Sequence, residues 1–446
     1  MKKSIIKGTI DTTEYPLYKN ISLIAMLAMG VLIIAPALMA ILSMIVRSID
    51  FTMNIYLSLI KKVAFPFACS IVFLLYIMII YNWIKKKRGV KRILIENPLL
   101  IVLLLIVILI MISQFYNGIE YALSGFCAKS LGETFGMELC YFLFVLTGAA
   151  QIRVEDHKRI LLRVHIISSV VLVIAAFVLW STQIESTFFS DWTPRFSSIF
   201  SNTNYYGYYL SVSVPITAAT YVYESNKVWK AIAWFAFIAN TIALSLNNTL
   251  GAWLGVAIAL LFIVVAHFII EKKLNIHALI ILPVFMLFLY VPASTMGTFE
   301  SNFSTLSGDI SKIMEGGPEA DGAGSGRWMI WNASLDIVKE NKLLGIGFEG
   351  VKYREYVGPP YNIRPHNELI QYAMFHGIPV AVLYFIGCLG MYIRALRKKK
   401  VLDGATLVCL AGALGYLISS FFGLTLFSTA YFLFVFLGMG YAHEQI

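Results

Sequence analysis

The chain has 446 residues, 59% hydrophobic and 13% charged, with a mean hydropathy of +0.77 and a formal net charge of +10. Soluble domains carry roughly 25% charged residues, so this composition cannot cover a water-facing surface and excludes an ordinary soluble protein. The cations flank apolar runs, as the positive-inside bias requires, so the basic balance gives no reason to infer a nucleic-acid partner.

The apolar runs are long and continuous rather than alternating, which selects helices over a membrane barrel. A bilayer-spanning helix needs about 20 apolar residues. Residues 1–20 are polar, and the first run is too long for a cleaved signal, so it reads as a first span. Spans are predicted at about 21–46, 64–84, 98–117, 133–150, 160–181, 204–223, 230–246, 248–270, 276–292, 366–393, 404–422 and 425–442. That makes twelve, or eleven if Asn247-Asn248 is a bend within one segment rather than a tight hairpin.

With the N-terminus in the cytoplasm, 23 of the 35 Lys and Arg fall in inner segments and five in short outer loops. The other seven lie in a long outer loop, which is exempt from the bias because of its length. Both termini are then cytoplasmic, and segments 182–203 and 293–365 share the outer face. The chain divides into spans 1–9 (1–292), the long extracytoplasmic loop (293–365) and spans 10–12 (366–446). Five cysteines are scattered without a CxxC pair, and only Cys127 falls in a predicted outer loop, so neither a disulfide framework nor a zinc site is indicated.

Within the long loop, Arg327–Lys342 reads as a helix with Trp328, Trp331, Leu335 and Val338 on one stripe, stopped near Gly345. Two tryptophans on an apolar face suit a membrane interface, and equally suit packing on the loop's own core. Glu315–Gly326 reads as a linker; its glycines lack the Lys-Ser/Thr of a phosphate loop.

His366 follows Pro365, which suits the first turn of a helix. The positive end of that helix would disfavour the imidazolium and leave a neutral ring able to accept a proton. The competing reading is a histidine that hydrogen-bonds lipid headgroups. Arg195 in the 182–203 loop and Arg327 in the long loop lie on one predicted face, where paired N–H donors suit a diphosphate; a lone interfacial arginine otherwise snorkels to lipid phosphates. Glu138, at the fourth span, reads as a buried partner for an arginine. Nothing resembles an Asp-x-Asp or His-rich metal site.

Three stretches in order resemble the O-antigen ligase and polymerase superfamily. They are Arg195-Phe-Ser-Ser-Ile-Phe-Ser-Asn202-Thr-Asn204 with Gly207, then Ser325-Gly326-Arg327-Trp328-Met-Ile-Trp331 with Gly345-Ile-Gly347, then His366-Asn367-Glu368-Leu-Ile-Gln371 with Gly377. The resemblance implies an all-α polytopic membrane protein of GT-C-like fold, with one long extracytoplasmic loop carrying short helices. It implies transfer of a glycan from undecaprenyl diphosphate to an acceptor hydroxyl outside the cytoplasm of a bacterium, without metal or other cofactor. Partners would be the lipid-linked glycan, a glycan or lipid acceptor, and membrane lipids. Carried over, Arg195 and Arg327 hold the donor diphosphate and His366 is the base, with Asn202, Asn204, Asn367, Gln371, Trp328 and Trp331 supporting. One departure stands out: where the family often shows Ser-Arg-Gly, this chain has Thr249-Leu250-Gly251. A lipid-linked oligosaccharide flippase is the alternative. A peptidoglycan-type polymerase would instead want a loop carboxylate, for which Glu300, Asp309, Asp336 and Glu349 are available.

Overall fold

The computed structural model describes residues 15–59, 62, 77, 98–117, 135–150, 152, 154–182, 196–200, 202–273, 275–347, 364–397, 402–423 and 428–441. Those residues form helices and turns, with no strand among them. The helices are α1 (Tyr15–Val46), α2 (Ile49–Leu59), α3 (Pro98–Asn117), α4 (Phe135–Ala150), α5 (Glu155–Ser181), α6 (Thr203–Tyr223), α7 (Lys227–Asn247) and α8 (Leu250–Glu271). Then come α9 (Ile276–Thr295), α10 (Thr298–Glu315), α11 (Arg327–Glu340), α12 (Glu368–His376), α13 (Ile378–Arg397), α14 (Gly404–Ser420) and α15 (Ala430–Met439). Apart from Ile77, the span expected at 64–84 lies outside the described residues, as do Arg195 and Glu349.

Among the described residues, six helices are long and apolar enough to cross a membrane: Ser22–Val46 of α1, then α5, α7, α8, α9 and α13. Parts of α3, α4, α14 and α15 are apolar but shorter. The outward faces are as apolar as the core: Leu27, Ile45, Phe235 and Leu287 are exposed while Ala28, Met29, Phe237 and Phe285 are buried. A helix apolar on all sides, half of it exposed, has lipid rather than water as its solvent.

Short polar side chains set the helix starts. Asn202, Asn226, Asn275, Asn367 and Asp403 each cap a helix by accepting from a backbone N–H of its first turn. Asn248, with φ 59°, ends α7 and turns the chain straight into α8, so the Asn247-Asn248 junction is a tight hairpin between two helices. Small residues let the inner helices approach closely, as is usual where lipid removes the hydrophobic drive for association. A Cβ added to Gly255 of α8 would strike the Gly415 carbonyl oxygen of α14, and one on Gly415 would strike the Ser211 carbonyl oxygen of α6.

The two ends of the bundle differ in chemistry. At one end, Arg159 and Arg163 of α5 donate to Glu224, both at 2.9 Å, and Lys158 lies 3.4 Å from Asp403. At the other end, Asn247 donates to the carbonyls of Phe196 and Thr203, both at 2.9 Å, and Asn302 of α10 donates to Asn248. The segment leading into α6 and the start of the long loop therefore meet at one end of the bundle.

The span expected at 366–393 is two helices. The chain breaks at Gly377, whose φ of 91° no helix accommodates, and α13 alone has the length and hydropathy of a crossing. The segment expected to be a linker is more ordered than its glycines suggest. Helix α10 runs to Glu315, and Pro318–Gly322 forms a 3-10 turn stabilised by Asp309, which accepts from Gly324 N at 2.9 Å.

Candidate functional site at the closure of the long loop

The site is built where α11 lies against the start of α12. Helix α11 begins at Arg327, after Gly326 turns the chain with φ 80°, and ends at Glu340 rather than running to Lys342. Its inward face is not quite the expected stripe: Ser334, Ile337 and Val338 are buried, whereas Leu335 is exposed. Trp331 is the link to the site. Its Nε1–H donates to the Pro365 carbonyl at 2.7 Å, and its ring lies 6.4 Å from that of Phe422. The tryptophan helix thus packs on protein, and that hydrogen bond ends one residue from His366.

The local chemistry around His366 departs from the sequence expectation in detail. Pro365 is not in the first turn of a helix. Asn367 is the N-cap of α12, accepting from Ile370 N at 3.1 Å, and His366 precedes it. His366 adopts a left-handed conformation, φ 49°, which is uncommon for any residue but glycine and costs roughly 1–3 kcal/mol. Its ring titrates well below the ordinary range, at about 4. Burial is the largest cause, followed by the charges of Arg327 and Arg364. The expected neutral imidazole is therefore present, but burial and two cations account for it. Glu368 acts elsewhere: buried, it accepts from the Tyr384 hydroxyl at 3.1 Å.

The stretch that follows α11, Lys342 to Gly347, is bolted to the other end of α12. Ile346 N donates to Met374 O and Gly347 N to Phe375 O, both at 2.9 Å, and Ile378 N donates to Lys342 O at 2.8 Å. Helix α3 seals the joint: Ser113 donates to the carbonyls of Leu344 (2.5 Å) and Phe375 (3.1 Å), and Asn117 donates to the Gly345 carbonyl at 3.2 Å. Gly345 (φ 62°) and Gly377 (φ 91°) face this joint, where a Cβ on either would strike the opposing backbone. The glycines of the second and third motifs thus have a structural reason: two backbone segments are paired edge to edge.

The structure therefore brings Arg327, Trp331, His366, Asn367 and Gln371 to one place. Trp328, half-buried, sits one residue into α11. Asn202 and Asn204 belong to the neighbouring segment, where Asn202 accepts from Asn204 N at 2.8 Å as the cap of α6. That segment is tied to the Thr249–Gly251 turn. Thr249 Oγ1 donates to Asn247 Oδ1 at 2.7 Å, and Gly251 packs against Phe422, which also touches Trp331. Glu138, expected as a buried partner for an arginine, is buried and accepts from the Tyr372 hydroxyl at 3.1 Å. Sequence reading did not single out Arg364 for the site; only its position two residues before His366 marked it. Among the described residues, no cluster of three or more His, Cys, Asp or Glu could hold a metal ion.

Fold and site together define a multi-pass α-helical membrane protein in which the segment between α9 and α12 places a histidine of lowered pKa beside arginines. Residues 235–385 match the family model of O-antigen ligase, a stretch that contains the tryptophan helix, His366 and the glycine-paired joint. The match covers 151 of the 446 residues; over that stretch the chain is similar to the O-antigen ligase family, which supports in general terms a glycan transfer of that type. No curated protein matches the chain.

Proposed function

We propose that the protein transfers a glycan from an undecaprenyl-diphosphate-linked donor to an acceptor hydroxyl at the outer face of the bacterial cytoplasmic membrane. It does so as a surface-polysaccharide polymerase or ligase of GT-C-like architecture, with twelve spans and both termini cytoplasmic. The observation that carries the reading is the placement of His366, in a left-handed turn fixed by Trp331 on the Pro365 carbonyl, next to Arg327 and Arg364, where burial and the two charges lower the pKa of its ring.

In the proposed reaction, His366 takes the proton of the acceptor hydroxyl as its oxygen bonds to the anomeric carbon. The bond from that carbon to the donor diphosphate breaks, and the electron pair leaves on the diphosphate oxygen. Arg327 and Arg195 offset the developing charge through fixed guanidinium donors, in place of a metal. Attack opposite the leaving group inverts the anomeric centre. Arg364 supplies a further cation at the same place. The prenyl chain has an apolar recess nearby: a cavity of about 190 Å³ between α13 and α14, lined by Leu369, Phe385, Leu389, Leu414 and Leu417 together with the buried Glu368.

The peptidoglycan-type alternative gains nothing from the loop carboxylates that are described. Glu300 accepts from Ser294, Asp309 from Gly324 N, and Asp336 from Lys339, so each holds local structure. The test is turnover of a radiolabelled lipid-diphosphate glycan by the protein in proteoliposomes, with EDTA present. Turnover in EDTA, with His366→Ala binding donor but failing to transfer, supports the reading. Strict dependence on Mg²⁺ or Mn²⁺ refutes the metal-free scheme, and donor translocation that survives His366→Ala indicates a flippase.

A further inference from the structure

Helix α10 was not anticipated by the sequence reading, and the glycan-transfer reading does not use it. It starts three residues after α9 ends, and it has no buried residue in its 18. Its apolar side chains nevertheless fall on one stripe at helical spacing: Phe299, Phe303, Leu306, Ile310, Ile313 and Met314. Four of them are strongly exposed, Phe303 at 69%, Leu306 at 50%, Ile310 at 50% and Met314 at 82%. The opposite face carries Ser301, Ser304, Ser311, Lys312 and Glu315. One flank is fixed to the protein through Asn302 on Asn248 and Asp309 on Gly324.

We propose that α10 is an in-plane membrane helix whose stripe is sunk into the interfacial zone of the bilayer, at the level of the lipid glycerol and upper acyl chains. Continuity with the lipid-facing surface identifies the occupant. Phe299 lies edge-on to Tyr290 of α9, with ring centroids 4.9 Å apart, and Tyr290, Val291, Leu287 and Met286 are exposed apolar residues of that crossing helix. The stripe therefore extends a face that lipid already covers. The link between the two helices is rigid, since Thr298 Oγ1 donates to Ala293 O at 3.0 Å and Ser294 Oγ to Glu300 at 2.9 Å. Charge selects the lipid component. Against Lys312, α10 sets Glu300, Asp309 and Glu315, so anionic headgroups repel it and apolar burial is the attraction. Such a helix fixes the depth of the long loop at the membrane surface, independently of what the loop catalyses.

The test uses full-length protein in phosphatidylcholine vesicles with Cys69 and Cys127 replaced by Ser. Cys140, Cys388 and Cys409 are retained because they are buried. Single cysteines at Phe303, Ile310 or Met314, and at Ser304 or Ser311 as controls, are labelled with the environment-sensitive dye NBD. The stripe positions should emit blue-shifted light and be quenched several-fold more by lipid nitroxides near the glycerol than the controls. Replacing a third of the lipid by an anionic one should not strengthen the quenching. Equal, water-like emission at both sets overturns the proposal. A blue shift without lipid quenching that grows with protein-to-lipid ratio also overturns it, in favour of contact with a second copy of the chain. So does quenching that appears only with anionic lipid.

Discussion

His366 offers a perturbation in which chemistry and backbone geometry are separated by two substitutions. Both His366→Ala and His366→Gly remove the ring, so both should lose the general base, a loss worth about 10²–10⁴ in rate. They differ in the backbone. At φ 49° alanine keeps the left-handed strain, whereas glycine is free of it. That strain costs a non-glycine residue about 1–2 kcal/mol, and the extra unfolded-state freedom of glycine offsets about 0.4–1 kcal/mol of the relief. His366→Gly should therefore be more stable than His366→Ala by about 0.8 kcal/mol, the difference between the middles of those two ranges. Thermal unfolding of the purified variants in detergent, beside transfer assays in proteoliposomes, reads both quantities. An alanine variant as stable as the glycine variant or more so would mean that the left-handed turn is not maintained. Transfer within tenfold of wild type in either variant would remove His366 from the chemistry.

The acid limb of the transfer rate should lie near pH 4, because His366 protonates there and a protonated ring accepts nothing. In Arg364→Gln one of the two depressing charges is gone, so the limb should move up toward the ordinary histidine value near 6.5; an unmoved limb would mean that Arg364 does not face the ring. Gly377→Ala should destabilise by at least about 2–3 kcal/mol, adding a backbone clash to left-handed strain, and limited proteolysis should then cut between Gly345 and Gly377 first. Were that variant as resistant as wild type, the paired joint would not be closed. At the opposite end of the bundle, Glu224→Gln removes the carboxylate shared by Arg163 and Arg159, although Arg159 keeps Glu155, and should lower stability by about 2 kcal/mol, less than a fully buried pair would lose. Burial pushes the Glu224 carboxyl up, but the Asn226 N–H, Arg163 and Arg159 hold it below its ordinary value. That stability is thus present at neutral pH and lost as pH falls through the carboxylate range, and a wild-type unfolding profile flat down to pH 3 would contradict it.

What the sequence made legible was what depends on local rules. Runs of apolar residues gave most helices to within a few positions, because lipid demands length and internal hydrogen bonding from each segment by itself. Asn202 was legible at the opening of its span, whereas the caps Asn226, Asn275 and Asp403 were not singled out. The neutral state of His366 was anticipated from a helix dipole, yet burial and Arg327 and Arg364 produce it, and those are matters of tertiary placement. The break at His376-Gly377 was hinted at by the residues but hidden by hydropathy, which runs on without a dip from α12 into α13. The Tyr372 hydroxyl on Glu138 was not legible, because nothing in the spacing of residues 138 and 372 marks them as neighbours. Helix α10 escaped because its apolar residues are diluted by serines. Only its period of 3.6, set against near-total exposure, reveals an amphipathic face.

The arrangement of the joints bears on why a lipid-linked reaction would be placed here. Arg327 opens α11 and His366 precedes α12. The relative position of these two helices is held at three places: Trp331 on the Pro365 carbonyl, Lys342 on Ile378, and Ile346–Gly347 on Met374–Phe375. The first bond fixes the start of α12 and the other two fix its end, so α12 cannot pivot away from α11 without breaking backbone pairs. On the proposed reading, the cation that grips the diphosphate and the base that deprotonates the acceptor are thereby held in register before substrate arrives. Reorganisation is then already complete, which is the condition under which fixed charges lower a barrier most. A flippase would instead need packed elements to part as one bundle rocks against another around its cargo. The three-point clamp, together with a strained histidine that only a tightly determined backbone would tolerate, therefore favours a fixed reaction centre over a moving gate.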